Sequence, residues 1–543
     1  MRHFPFIVAL LTLSAIPAFG QATYSAASCS LANVQSAYTT EQASKADGDI
    51  ISIPTCGATT WGSAWSITPT NSLTIQGQST TTGTCAPQGT CTATDNTNIT
   101  LSSTFSAATA TGKSFRLTGI SFTNTGSAKY GALNFTGSST AVRIDHNHFT
   151  DNDGGGHTLQ IDGVRGVVDH NYFQMAASNT IFAMQVTNIG SDGMADTIWT
   201  QVESFGSSDF VYVENNFFVG DSNDFKFAYD CDSGGKIALR YNSTGTGSPL
   251  QSHGTGSGGS IRGCRATETY ENTFNYGGAT PFFALLDYEG GPSMFWGNTI
   301  SNYDTIIREQ EVRVNTATYT QIAPPNGWGY CGTTNGPSNW DRNSNSNGYA
   351  CLDQVGRGAG DLLQGGFSSD GFGSNNKCDS ATTNCTNHIY TGSWPNQALI
   401  PTYAWQNTHN ADGDTLHYWV NLNAIDPVTE NQDYYLQLPN ENEGTSFNGT
   451  AGIGNGSSAP GTAFPTCTTN ASSDAIAAGT TWLGVSVSGH WGPGYWDTTN
   501  NTLYVCTATN TWTAYYSPYT YPHPLEGTSP PAPAAVMLAI SVH

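Results

Sequence analysis

One segment of the chain concentrates residue types that suit proton transfer and anion binding. Residues 240–272 contain Arg240, His253, Arg262, Arg265 and Glu268, in a chain with only 17 Lys and Arg residues. Arginine stays protonated and suits a carboxylate clamp, whereas histidine titrates near neutral pH. We therefore interpret His253 as a candidate base and Arg240 and Arg262 as residues that orient a bound anion. A structural network of these arginines with Glu268 and Glu271 explains the same residues equally well.

A second set of charged residues recurs at a fixed place in a repeated phrase. Asp145, Asp169 and Glu214 each lie two positions before an Asn, and Arg240 holds the same place in the next copy. If the copies stack as strands, the carboxylates lie about 5 Å apart and need a cation or Arg240 between them. Ca²⁺ takes carboxylate oxygens in flexible geometry. These three acids are our candidate Ca²⁺ ligands, the alternative being a solvated face with Arg240 bridged to Glu214. No organic cofactor is expected.

The repeated phrase predicts the elements that must position both sets. Its Asn recurs at positions 147, 171, 216, 242, 272 and 298, so most steps lie between 24 and 30 residues and one is 45. Such a period is typical of a solenoid whose coils carry variable insertions. Polar and apolar residues alternate before each Asn, which predicts a short strand. We expect the Asn to turn the chain in a left-handed conformation and to bond to its neighbours in a ladder, with Phe149, Phe173, Phe218 and Phe274 stacked inside.

Composition favours strands and turns throughout. The chain has 61 Gly, 10% charged and 37% hydrophobic residues. We predict an all-β parallel β-helix (a solenoid) with an N-terminal cap, a disulfide-rich insertion and a small C-terminal β module. The expected boundaries are 1–20 for a signal peptide, 21–47 for the cap, 48–440 for the helix with a Cys-rich insertion at about 312–395, 441–525 for the β module and 526–543 for a tail.

The N-terminal residues and the cysteines indicate export. Residues 1–20 have a basic start, a short apolar centre and small residues before the break, as secretory signal peptides do. No transmembrane segment is expected after its removal. The 12 Cys occur as neighbouring couples without CxxC spacing, so we expect disulfides between sequential cysteines: Cys29/Cys56, Cys85/Cys91, Cys231/Cys264, Cys331/Cys351, Cys378/Cys385 and Cys467/Cys506. The net charge of −23 argues against nucleic acid as a partner.

Three features together resemble a known family. The run Gly-Asp-Ile-Ile-Ser-Ile-Pro at 48–54, the Thr-Ile-Gln-Gly coil at 74–77 and the Asn repeats look like the right-handed parallel β-helix proteins of the pectate-lyase-like superfamily. The resemblance covers roughly residues 45–310. It implies a right-handed β-helix, and it implies Ca²⁺ on an acidic patch if the chain is one of the family's lyases. The fold alone does not choose among lyases, hydrolases, tail spikes and adhesins.

The leading functional expectation is a secreted carbohydrate-active protein. It binds an extracellular polysaccharide, of which uronate-containing chains suit the Arg cluster, and it cleaves by β-elimination if it is an enzyme. The alternative is a non-catalytic cell-surface or adhesion scaffold. Hydrolysis ranks below elimination because paired acids such as Asp287 and Glu289 lack a matching signature. Trp491, Trp496 and Trp512 suit a sugar platform, although we favour their covering the helix end. The oligomeric state is left open.

Overall fold

The computed structural model describes the larger part of the chain. The described residues are 21–82, 91–125, 130–151, 156–175, 181–188, 202–220, 226–245, 250–254, 263–277, 281–309, 355–356, 367–368, 371–372, 400–410, 417–421, 428, 430–440, 444–464, 466–468, 480–482, 485–487 and 491–527. The expected signal peptide, Arg262 and most of the expected insertion at 312–395 lie outside them.

Parallel strands form three long sheets, and strands are numbered here along the chain. The first sheet contains β1 (Thr23–Ser25), β2 (Asp49–Ser52), β5 (Leu73–Gln76), β10 (Ser114–Thr118), β13 (Ala141–Asp145), β16 (Gly166–Asp169), β19 (Val211–Glu214), β22 (Lys236–Arg240), β25 (Ala266–Tyr270), β28 (Ser293–Trp296), β33 (Thr402–Trp405) and β36 (Tyr434–Leu436). The second contains β3 (Cys56–Trp61), β8 (Thr97–Leu101), β11 (Ser121–Asn124), β14 (His148–Asp151), β17 (Tyr172–Met175), β20 (Phe217–Val219), β23 (Ser243–Thr244), β26 (Thr273–Asn275), β29 (Thr299–Ser301) and β34 (Thr408–Asn410). The third contains β4 (Trp65–Ile67), β9 (Phe105–Thr109), β12 (Tyr130–Gly137), β15 (Gly156–Asp162), β18 (Ile181–Thr187), β21 (Lys226–Cys231), β24 (Leu250–Ser252), β27 (Leu286–Tyr288), β30 (Thr305–Glu309) and β35 (His417–Asn421).

The chain visits the three sheets in turn, so each circuit is one coil of a parallel β-helix. For example, β13, β14 and β15 belong to the first, second and third sheets, and β16, β17 and β18 pair with them one coil later. The predicted fold class is therefore confirmed. The 45-residue step between Asn171 and Asn216 is a single coil, because β16 pairs directly with β19 and the extra residues lie between β18 and β19.

The Asn ladder runs through the corner between the first and second sheets. Each Asn amide donates from Nδ2 to Oδ1 of the Asn one coil on, at 2.9–3.1 Å, and the ladder joins positions 147, 171, 216, 242, 272, 298 and 407. The left-handed residue, however, is the one before each Asn, such as His146 or His170, both at φ 55°. The expectation that the Asn itself adopts this conformation was wrong. Its side chain instead satisfies backbone groups that the turn leaves unpaired, as Asn171 Nδ2 does at Ile144 O.

The interior is filled by apolar side chains in register. Phe149, Phe173 and Phe218 stack with ring centroids 4.8 Å apart, as predicted, and Phe122 extends the stack at 5.9 Å from Phe149. The prediction was wrong for Phe274, because Thr244 lies between it and Phe218. These rings belong to one continuous buried cluster that follows the helix axis. Because each coil is too thin to bury such a face alone, neighbouring coils stabilise one another.

A helix covers the N-terminal end, as expected. Helix α1 (Leu31–Ser44) starts at Ser30, whose hydroxyl accepts from the Asn33 amide, and it buries Val34, Ala37 and Glu41. The disulfide Cys29–Cys56 ties its start to the second sheet. The predicted pairs Cys231–Cys264 and Cys467–Cys506 are also present. The other predicted pairs each include at least one cysteine outside the described ranges.

The C-terminal residues form a β module that packs on the outer face of the first sheet. Its strands are β37 (Ile453–Gly456), β40 (Gly494–Asp497), β41 (Thr502–Ala508) and β42 (Thr511–Tyr516), with α2 (Pro460–Ala463) beside them. Small hairpins elsewhere are β6 (Thr80–Thr82) with β7 (Thr92–Thr94), β31 (Phe367–Ser368) with β32 (Gly371–Phe372), and β38 (Thr480–Trp482) with β39 (Val485–Val487). A 3₁₀ helix, Pro524–Gly527, ends the described chain. None of the helices described here is long and apolar enough to cross a bilayer.

Candidate functional site

The structure confirms the predicted alignment of charged residues on the first sheet. Strand registers place Asp145, Asp169, Glu214 and Arg240 beside one another on successive coils, followed by Tyr270 and Trp296. We call these residues the first-sheet file. All three carboxylates are fully buried, so the alternative of a solvated face was wrong in that respect.

An arginine pairs with each carboxylate of the first-sheet file. Arg116 binds Asp145 through two nitrogens, at 2.5 and 2.7 Å, and Arg143 binds Asp169 likewise, at 2.7 and 2.9 Å. Arg240 Nε donates to Glu214 Oε2 at 2.5 Å, as the alternative interpretation proposed. Charge-assisted fork contacts of this kind are strong and geometrically specific. They keep the pKa of the buried Asp145 carboxyl well below its usual range, although burial alone raises it.

The last described residues lie across this file and cover it. We call residues 517–527 the C-terminal strap. Arg240 donates to the carbonyls of Tyr519 and Thr520 at 2.7 and 2.9 Å, and the His523 amide donates to Glu214 Oε1 at 2.6 Å. Arg143 donates to Leu525 O at 2.9 Å. The guanidinium groups therefore have backbone acceptors where a solvent-facing site would have water or ligand.

These contacts do not fit a Ca²⁺ site. Ca²⁺ needs six to eight oxygen ligands, whereas the oxygens of Asp145, Asp169 and Glu214 already accept from Arg116, Arg143 and Arg240. The described groupings of possible metal ligands are Asp145 with His146 and Asp169, and Asp169 with His170 and Glu526. Both include a histidine at the corner between the first and second sheets. Glu214 belongs to neither grouping, so no step of chemistry is assigned to Ca²⁺ here.

The predicted cluster of residues 240–272 is divided between two sheets. Arg240 and Glu268 lie on the first sheet, whereas His253 follows β24 of the third sheet. Arg265 is fully buried and donates to Glu203 at 2.9 Å. Glu268 is also fully buried, where it accepts from the Gly206 amide and the Tyr516 hydroxyl.

Burial does not favour the catalytic roles predicted for Arg240, Arg265 and Glu268, which stay predictions. Arg240, Arg265 and Glu268 have no exposed surface and are held by structural partners. Burial raises the pKa of Glu268 to about 7 although both hydrogen bonds oppose it. Their partners also differ from the predicted Arg–Glu network, since Arg240 pairs with Glu214 and Arg265 with Glu203.

A different row of polar side chains runs along the third sheet. Strand registers align Gln185, Asp230, Gln251, Asp287 and Arg308 on successive coils, and we call these the third-sheet file. Flanking residues such as Met184, Val186, Tyr229 and Cys231 point into the core, so the alternation of a strand puts the file on the outer side. Gln185, Gln251 and Arg308 are partly exposed. Arg308 binds Asp287 through two nitrogens at 2.5 and 2.7 Å.

His253 lies beside this file and is held by a buried carboxylate. Its Nδ1 donates to Asp230 Oδ1 at 2.5 Å, and Asp230 Oδ2 also lies 3.3 Å from His157 Nε2 and 2.8 Å from Gln185 Nε2. The Gln251 amide nitrogen is 3.0 Å from His253 Nε2. The His253 side chain keeps 16% of its surface exposed, so of the described candidate catalytic residues it is the one that solvent reaches.

The surroundings of His253 favour its charged form. Burial lowers its pKa, but the charges of Asp230 and Glu289 and the hydrogen bond to Asp230 outweigh burial and raise the pKa to about 10. A charged imidazole donates from Nε2, so in that form the Gln251 amide must turn its oxygen toward the ring. The charged ring can donate a proton or bind an anion, and the role of His253 as a base stays a prediction. Glu289 is buried and accepts from the Gly254 amide at 3.3 Å, which fixes the backbone next to His253.

Sequence reasoning missed Asp230, His157 and Gln185. Asp230 directly precedes Cys231, and the sequence analysis considered this position only for the disulfide with Cys264. The usable signal was the alternation in 226–231, because an acid between Tyr229 and Cys231 must lie outside if both neighbours lie inside. The partner His157 is 73 residues away in sequence, and no local pattern connects it to Asp230.

The sugar platform, which was the less favoured alternative for three tryptophans, does not form, because Trp496 is buried. Trp496 is buried between Trp296 and Trp405, with centroids 5.0 and 5.1 Å away, and Trp512 donates to Phe464 O inside the β module. Trp491 packs against Tyr515. Trp496 thus joins the module to the side of the helix, whereas Trp512 packs inside the module, which differs from the end cover that we favoured.

Known protein families, curated proteins and solved structures were compared with this chain, and none of them matches it. The fold and the site define a class all the same: a parallel β-helix protein with one covered lateral face and one partly exposed polar lateral face. The resemblance to the pectate-lyase-like superfamily stays a prediction.

Proposed function

We propose that this chain is an extracellular polysaccharide-binding β-helix and that the third-sheet file, with His253 beside it, is the sugar-binding face. The observation that carries the proposal is the row of amide, carboxylate and guanidinium groups on successive coils, from Gln185 to Arg308. Successive coils lie about 4.7–4.9 Å apart, so the row offers a regular series of hydrogen-bonding groups to an elongated polar chain. Sugar hydroxyls both donate and accept, as this mixed row requires.

An acidic polysaccharide suits the charge of this face. The molecule as a whole carries a net charge of −23, which repels polyanions at long range. On the file itself the cationic groups are His253 and Arg308, each paired with an acid, Asp230 and Asp287. A uronate carboxylate would bind at the exposed edges of these two side chains.

The cleavage chemistry that we propose is β-elimination, with His253 as the proton donor. Elimination needs a cation beside the uronate carboxylate, a base for the α-proton and an acid for the leaving oxygen. In this proposal a protonated His253 is the acid for the leaving oxygen, and Arg308, which pairs with Asp287, is the cation beside the uronate carboxylate. The base is not assigned among the described residues.

One observation favours the alternative of a non-catalytic adhesion scaffold. Arg240 and Arg265, which the lyase interpretation relied on, are sealed in ion pairs with Glu214 and Glu203. A scaffold needs only the rigid stack and the polar row. Both functions are extracellular, which the disulfides of the described chain support, as does the signal-peptide pattern of residues 1–20.

The test combines binding and turnover. Titration calorimetry against a panel of neutral and uronate-containing polysaccharides should detect binding to a uronate polymer, with and without chelator. His253→Gln and Gln251→Ala should weaken that binding at least fivefold. Gln174→Ala is the matched control, because Gln174 is an exposed glutamine on the second sheet.

Turnover is followed as absorbance of the unsaturated product. A rise in this absorbance that disappears in His253→Gln supports the lyase function. Binding without unsaturated product or new reducing ends supports the non-catalytic scaffold. If no polysaccharide binds, or if Gln174→Ala weakens binding as much as Gln251→Ala, the proposed face is wrong.

A further inference from the structure

Two histidines on adjacent coils form a stacked pair at the corner between the first and second sheets. The imidazoles of His146 and His170 are parallel within 1°, with centroids 5.1 Å apart. They hold equivalent places, since each precedes a ladder Asn. Both side chains are more than a third exposed, at 38% and 37%.

Each of these rings is oriented by a buried carboxylate. His146 Nδ1 donates to Asp145 Oδ2 at 2.8 Å, and His170 Nδ1 donates to Asp169 Oδ2 at 2.9 Å. A carboxylate only accepts, so the hydrogen must be on Nδ1, and the neutral ring then has its lone pair on Nε2. Metal-binding histidines show this arrangement almost always, because the carboxylate fixes the tautomer and raises the basicity of the ligating nitrogen.

The other nitrogen of each ring is available. No described residue forms a hydrogen bond with Nε2 of His146 or His170. The carboxylates behind them are already neutralised by Arg116 and Arg143. The corner therefore offers two oriented nitrogen ligands rather than the oxygen ligands that Ca²⁺ prefers.

We propose that His146 and His170 bind one divalent transition-metal ion, such as Zn²⁺, Ni²⁺ or Cu²⁺, through their Nε2 atoms. Imidazole suits these metals, and water completes the coordination. Metal–nitrogen bonds of about 2.0–2.1 Å place two ligating nitrogens at most about 4 Å apart. The two rings must therefore tilt toward each other from their parallel arrangement, and their partial exposure leaves them room to do so.

The test uses variants that keep the corner intact. Asn215 holds the same left-handed position in the next coil, so His146→Asn and His170→Asn place a residue that the turn accepts. Titration calorimetry of the untagged full chain with NiCl₂ and with ZnCl₂ should show one tight equivalent. Each Asn variant should weaken it at least tenfold.

Two controls make the result decisive. His148→Asn changes a histidine that stacks on Tyr172 and contacts Asp95 instead, and His253→Gln changes the third-sheet site. Both should bind the metal as the unmodified chain does. Melting curves with EDTA confirm that every variant is folded. No binding by the unmodified chain overturns the proposal, as does binding by His146→Asn and His170→Asn that is as tight as in the unmodified chain. A loss confined to His148→Asn or His253→Gln also overturns it.

Discussion

The first-sheet file and the third-sheet file contain the same kinds of charged residues, but one is structural and the other is the candidate binding row. Both place acids and an arginine in register on successive coils. On the first sheet, the C-terminal strap supplies backbone acceptors to Arg240 and a donor to Glu214, and the exposed surface falls to zero. On the third sheet, Arg308 and His253 keep about 16% of their side-chain surface. What separates a structural row from a candidate binding row is thus the segment that covers it.

The largest expected effect comes from breaking an ion pair of the first-sheet file, which the C-terminal strap covers. Arg240→Met removes the partner of Glu214 and leaves a buried charge uncompensated, which costs about 3–5 kcal/mol of unfolding free energy. Arg308→Met should cost less than Arg240→Met, because Arg308 and Asp287 keep 16% and 11% of their side-chain surface and water can partly compensate Asp287. Urea unfolding of both variants measures the difference. Equal losses would remove the energetic distinction between the two files.

The strap should make the covered face sensitive to acid. Burial lowers the pKa of His523 to about 4, so the folded chain prefers its neutral form. Stability from this group is complete above the ordinary histidine value of about 6.5 and is lost as pH falls toward 4. We expect a loss on the order of 1–2 kcal/mol over that window, measured by urea unfolding at several pH values. A His523→Leu variant should show a flatter profile, and an unchanged slope would contradict the assignment.

The third-sheet file should respond to pH in the opposite direction: its affinity for an acidic ligand should fall as pH rises. His253 is charged below its pKa of about 10, so binding of a uronate chain should hold at neutral pH and decline as pH rises through 10. Asp230→Asn removes the main stabilising charge and should move this midpoint down toward about 6.5. Calorimetric titration across pH follows both curves. A midpoint that stays the same in Asp230→Asn would show that His253 does not carry the charge.

The smallest expected effect concerns one hydrogen-bonding group of the third-sheet file. Gln185→Ala removes a partly exposed amide that donates to Asp230, and it should weaken polysaccharide binding about threefold, within the usual value of one hydrogen bond. Thermal melting should change little. A variant that binds normally would place the ligand closer to Arg308 than to Gln185.

The architecture was predictable because the same residue pattern recurs from coil to coil. The Asn at 147, 171, 216, 242, 272 and 298, with the alternation before it, was enough to predict the ladder and the row of Asp145, Asp169 and Glu214. The pairing of cysteines near in sequence followed from the same local logic.

Whether each row is covered or partly exposed was not predictable, since burial depends on contacts between residues that are distant in sequence. The strap reaches Arg240 from 279 residues away, so no pattern around Arg240 indicates that it is sealed. The partner of His253 is a buried acid, and burial determines its charge and hence its role. The sequence placed His253 and Arg240 in one cluster because they are neighbours along the chain, whereas the coil carries them to different sheets.

The most direct test of the central claim is a crystal structure of the chain with a bound uronate oligosaccharide. Our account predicts sugar density along the third sheet between Gln185 and Arg308, with a carboxylate or a glycosidic oxygen within hydrogen-bond distance of His253. The strap should remain in place over Glu214 and Arg240. An oligosaccharide bound on the first sheet with the strap displaced, or on the second sheet, would contradict the account.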